Sequence, residues 1–145
     1  MQTVTFENNK QVLEYAASNA DQILVLFSTY VEIEMIDAKL PENVIVASSF
    51  AQTYAGARKE RGFTGFVIDK NECEIVPIAD LPILSRYDLK KAYDKVKDNP
   101  NAFMYLIADG LSGQEDMILT SRYFMRPDFK MIGGSAGVTN HDETL

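Results

Sequence analysis

Three short, almost unbroken apolar runs constrain this chain more than any other feature: residues 23–27, 44–47 and 102–108. Each is too short for a helix buried all round and too apolar for a strand with one wet face. That pattern belongs to strands covered on both faces, as in a parallel sheet. Each run also stops at small polar residues: Ser28-Thr29, Ser48-Ser49, and Asp109-Gly110-Leu111-Ser112. A fourth run, 130–132, enters a loop read as Gly133-Gly134-Ser135-Ala136-Gly137.

Helical patterns fall between the runs. Asn8 or Asn9 caps a helix with Val12, Leu13, Ala16 and Ala17 on one face. Residues 32–39 read as a short helix stopped by Pro41. Ser85 or Asp88 starts another, running to about Asp98, with Leu89, Ala92, Tyr93 and Val96 inward. Ser112 and Glu115 have capping-box spacing ahead of a helix with Met117, Ile118, Ser121 and Phe124 inward, ended by Pro127. Residues 2–6 alternate as a short strand, and 50–62 show weak periodicity and read mostly as loop. Residues 63–68 and 73–78 flank a polar four-residue turn and predict a β-hairpin, with Pro77 marking an edge. The fold class expected is α/β: a mixed, partly parallel sheet with flanking helices and an antiparallel hairpin.

The length, 145 residues, suits one domain, and 46% apolar with 24% charged residues is a globular balance. No apolar run is long enough to span a bilayer, and the first residues carry no signal-peptide pattern. Cys73 is the single cysteine, which suits a reducing compartment, so a cytoplasmic location is expected. The net charge of −7 argues against nucleic acid and anionic membrane as partners. The basic stretches Arg58-Lys59-Glu60-Arg61 and Lys90-Lys91 have acids nearby and read as solvated faces.

Ligands of open α/β sheets bind outside the carboxyl ends of the strands. If the strands are parallel, their polar ends converge on one crevice, where glycine lets backbone approach a ligand closely. The ligand-binding candidates are therefore Ser48, Ser49, Asp109, Gly110, Ser112, Gly133, Gly134, Ser135 and Gly137. Free N–H groups in such loops suit a carboxylate or another anion. The stretch 133–137 also matches Gly-x-Ser-x-Gly, the nucleophile elbow of a serine hydrolase, with Ser135 as nucleophile. An elbow needs a helix after the turn, which residues 138–145 do not supply. The only histidine, His141, follows Ser135 too closely for the usual order of that triad. His141-Asp142-Glu143 are adjacent and do not converge on a metal ion. Neither a Walker sequence nor Gly-x-Gly-x-x-Gly occurs, so no cofactor is expected. Tyr54, Arg58 and Arg61 are weaker candidates for covering a pocket or holding a carboxylate.

Residues 101–115, with the Asp109-Gly110 turn, followed by 130–137 with Gly133-Gly134-Ser135-Ala136-Gly137, resemble the FIST N-terminal domain. The strands at 20–28 and 44–49 fit as well, so the resemblance spans about residues 20–137. Where that family usually reads Gly-Cys-Ser-Thr-x-Gly, this chain has Ala47-Ser48-Ser49-Phe50-Ala51-Gln52, without the cysteine and the glycine. The resemblance implies a non-enzymatic sensory input module of bacterial signalling proteins, taking a small-molecule ligand such as an amino acid or a related carboxylate. It implies a C-terminal FIST or output domain as partner, and a truncated or short version of the domain here. The serine hydrolase and a protein-interaction or dimerisation domain, pairing through an exposed hairpin edge, are the alternatives.

Overall fold

A computed structural model of the chain describes residues 1–29, 32–33, 40–49, 52–78, 86–109, 116–120 and 129–136. They form two compact units, one holding the described residues up to Cys73 and the other those from Glu74 onward.

The first unit is built on a four-stranded mixed sheet. Its strands are β1 (Gln2–Phe6), β2 (Gln22–Ser28), β3 (Val44–Ser48) and β6 (Phe63–Asp69), in the order β1-β6-β2-β3. β2 and β3 run parallel, with Leu24 opposite Val44 and Ser28 opposite Ser48. β6 lies antiparallel between β1 and β2. Helix α1 (Asn9–Ser18) connects β1 to β2. Asn8 caps it, its side chain accepting from the Gln11 N–H at 3.1 Å. Val12 and Ala16 are buried in a core with Phe6, Leu24, Leu26, Val44, Phe63 and Val67. Leu13 is half-buried and Ala17 exposed, so the inner stripe is narrower than the sequence suggests. Asn43 is buried, and its Nδ2 donates toward the carbonyls of Ala16, Asn19 and Gln22, fastening the end of α1 to the start of β2. β2 is covered on both faces, as its unbroken apolar run requires: Ile23, Leu24, Val25 and Leu26 are all buried.

The expected hairpin of 63–68 with 73–78 does not form. β6 pairs with β1 on one side and β2 on the other, a one-turn 3-10 helix (Lys70–Glu72) follows, and residues 73–78 have no regular structure. A strand on each side, β1 and β2, satisfies more of the β6 backbone than one Pro-containing strand can. The antiparallel hairpin lies instead in the stretch expected to be loop, as β4 (Gln52–Tyr54) and β5 (Ala57–Lys59). Its two-residue turn has positive φ at Ala55 (49°) and Gly56 (79°), the twist that a tight hairpin favours and that glycine tolerates. The α/β class with a mixed sheet and a hairpin therefore holds, with the hairpin displaced along the chain.

In the second unit, β7 (Met104–Asp109) and β8 (Met131–Ala136) pair in parallel, from Met104 opposite Met131 to Asp109 opposite Ala136. Helix α2 (Arg86–Val96) buries Leu89, with Ala92, Tyr93 and Val96 half-buried on the expected face. Lys95 donates twice to the Glu74 carboxylate, at 2.6 and 2.8 Å, and the Tyr93 and Phe129 rings meet edge-on at 5.3 Å. Residues 116–120 are helical; Ile118 is buried there but Met117 is 43% exposed, against expectation. Ser121, Phe124 and the Ser112–Glu115 capping box lie outside the described residues, as does most of the predicted 32–39 helix.

Candidate ligand-binding strand ends

The described candidates, Ser48, Ser49, Asp109, Gly133, Gly134 and Ser135, fall at the carboxyl ends of two parallel strand pairs, one in each unit. In the first unit, Ser48 and Ser49 are half-buried at the end of β3. Neighbouring Ser28 is wholly buried, and its Oγ donates to the Gly62 carbonyl at 2.7 Å. The Ser49 N–H donates to the Ser28 carbonyl at 2.7 Å. Polar groups at this end therefore fasten the strand terminus to the fold.

In the second unit, Asp109, Gly133, Gly134 and Ser135 are all exposed. The expected glycine–serine loop is corrected: Gly133 to Ala136 continue β8, each residue paired with the 106–109 stretch of β7. The reason lies in Gly133. Its φ is +146°, and a Cβ placed there would overlap the Leu106 carbonyl oxygen. A missing side chain thus lets the two backbones close into a ladder where the sequence suggested a turn. Gly134 differs, since nothing lies within 4 Å of where its Cβ would stand.

Side chains alternate between the faces of a strand, and register partners share a face. Asp109 therefore stands with Tyr105, Ile107, Ile132 and Gly134, whereas Ser135 stands on the opposite face with Ala108 and Leu106. The Asp109 face has an apolar floor, with Ile132 53% and Tyr105 37% exposed, a strip of bare backbone at Gly134 and a carboxylate at its end. Ser135 sits inside a strand, not on a strand-to-helix turn, so the elbow geometry is absent at that residue. Gly110, Ser112, Gly137 and His141 lie outside the described residues.

Of the weaker candidates, Arg58 is solvent-exposed and reaches Glu60 at 3.5 Å. Arg61 lines an open cleft of about 400 Å³ together with Glu7, Lys59 and Glu60. The hairpin buries Gln52 and half-buries Lys59, where the sequence reads Lys59 on a solvated face and the stretch mostly as loop. The signal that marks them is the Ala55-Gly56 pair between two short polar runs. Burial pushes the Cys73 thiol above its ordinary value, with Glu72 and Asp69 adding to the shift, so it is not an activated nucleophile. Among the described residues no group of His, Cys, Asp and Glu is placed to hold a metal ion, and no helix is long and apolar enough to cross a membrane.

The FIST N domain family model matches residues 11–144, nearly the whole chain. This chain belongs to the FIST N domain family. FIST domains are a family of sensory domains in signalling proteins. The match to the FIST model runs through both compact units. No curated protein sequence and no solved structure matches the chain.

Proposed function

We propose that this FIST domain is a cytoplasmic sensor that binds a small amino acid or related carboxylate metabolite at the carboxyl end of the β7–β8 pair, without catalysis. The observation that carries this reading is the parallel register, which sets the Asp109 carboxylate on the same face as the uncovered backbone of Gly134. Asp109 accepts the ligand's ammonium group, and the bare strip at Gly134 admits its main body to the sheet. Tyr105 and Ile132 supply apolar contact for a side chain. Gly110, Ser112 and Gly137 follow these strands in sequence and complete the candidate set, since backbone N–H donors suit a ligand's carboxylate. The ligand signal passes to a C-terminal FIST or output domain.

A melting screen of the full chain against single amino acids and short carboxylates tests this, because a ligand of the native state must raise Tm. The expected result is a saturable rise with at least one compound, lost in Asp109→Asn and in Gly134→Val. A folded protein that no compound stabilises contradicts the reading.

A further inference from the structure

Both stems of the β4–β5 hairpin are fastened to one residue of the first unit. β3 ends at Ser48 and β6 begins at Phe63, and register sets each of them opposite Ser28. The Ser28 carbonyl accepts from the Ser49 N–H at 2.7 Å, ahead of the hairpin, and its Oγ donates to the Gly62 carbonyl at 2.7 Å, behind it. Gly62 has φ +78° and no room for a Cβ beside the Phe6 carbonyl, and Phe63 is wholly buried. The stems are therefore fixed. What lies between them stands at the carboxyl end of β2–β3, the end at which open α/β sheets take ligands.

Little holds the hairpin itself down. A lone two-stranded hairpin is marginal in water, so this one depends on its contacts with the sheet. Of residues 52–59 only Gln52 is buried, at 4% exposed; Tyr54 and Lys59 share its face of the ladder and are half-buried, and the others are exposed. Lys59 Nζ donates to Thr5 Oγ1 at 3.1 Å, a part-buried tether to β1. The single side chain that the closed hairpin buries is thus polar, and neither Nε2 nor Oε1 of its amide has a hydrogen-bond partner. Closure takes that amide from water without replacing its hydrogen bonds, where an apolar side chain would have gained from burial. Opening returns both ends of the amide to water. We infer that the β4–β5 hairpin is a flap that opens on its two Ser28-fastened stems while the sheet stays folded, with the Gln52 amide holding the closed state close in free energy to the open one. The flap belongs to the first unit and does not depend on the strand-end reading.

The test is amide hydrogen exchange of the full chain, followed residue by residue with and without urea below the unfolding transition. The expected result is that the ladder amides of 52–59 exchange at least about tenfold faster than those of β2 after correction for intrinsic rates. Their exchange also depends less on urea, because lifting a flap exposes less surface than unfolding. Gln52→Leu, which removes the unpaired amide at similar volume, slows hairpin exchange about tenfold. Gln52→Met makes the same change with a more adaptable side chain and carries the test if Gln52→Leu fails to fold. Lys59→Met loses the tether to Thr5 and speeds hairpin exchange severalfold. Hairpin amides that exchange together with those of β2, at one rate and one urea dependence, overturn the inference, since the hairpin then opens only when the sheet unfolds. Hairpin exchange that is unchanged or faster in the folded Gln52 variants overturns it too, because a bound water then already satisfies the amide.

Discussion

The two parallel strand pairs share a sequence signature and use it for opposite purposes. Both β2–β3 and β7–β8 are parallel pairs whose strands run from apolar residues into small polar ones. At the end of β2–β3 the polar groups turn inward, with Ser28 buried on the Gly62 carbonyl and the Ser49 N–H held by the Ser28 carbonyl. At the end of β7–β8 they stay exposed, and Gly134 beside them leaves backbone uncovered. A polar strand end is therefore not itself a site. What separates the two is burial: the turn at Gly62 closes over Ser28, whereas Asp109, Gly134 and Ser135 stay exposed.

The largest effect that sharpens the contrast comes from the two adjacent glycines of β8. Gly133→Ala must shift Leu106 or abandon its φ, and is expected to cost about 2–4 kcal/mol in urea unfolding. Gly134→Ala meets open space and is expected to stay within about 0.5 kcal/mol of the parent. Equal losses at the two positions would break the distinction between a glycine that builds the ladder and one that leaves room above it. Next, Ser28→Ala strips the hydrogen bond from a buried carbonyl and should cost about 1–2 kcal/mol, read in the same unfolding experiment. No loss there would mean that the β2–β3 end is not fastened as described.

The smallest effect involves Lys90 and Asp94 on α2, an exposed pair at 2.7 Å. The hydrogen bond to Lys90 holds the Asp94 carboxyl below its ordinary value, and the same bond raises Lys90. The carboxylate's contribution is thus present above its unfolded pKa and is lost as pH falls through the lowered folded value. The lysine's is present below its unfolded pKa and is lost as pH rises through the raised folded value. Solvent screens both, so Asp94→Asn should leave Tm near that of the parent at moderate salt. A large, salt-independent drop would show the pair to be structurally important.

Much of this organisation is legible in the residues. The run at 23–27 is unbroken because β2 is covered on both faces, whereas β3 and β7, from the runs at 44–47 and 102–108, are only partly covered, and Asn8 caps α1 as its side chain permits. The 133–137 stretch reads as a loop because glycine and serine are poor strand formers, and only the Leu106 carbonyl against Gly133 reveals why a strand forms there. The hairpin at 63–78 fails for a related reason, since short-range pairing rules do not know that β1 and β2 compete for β6. The Gln52–Lys59 pairing has only a faint local signal, Ala55-Gly56, and its unsatisfied amide cannot be seen without burial. The strand-end residues were legible by type. Their faces were not, because alternation depends on where the strand begins.

The most direct test of the central claim is an amide chemical-shift titration of the full chain with the amino acid or short carboxylate that stabilises it best. The account predicts saturable shifts centred on Asp109, Gly134 and their β7–β8 neighbours, with Ser28 and Ser49 little changed. Shifts centred on Ser28 and Ser49, with Asp109 and Gly134 still, would contradict it.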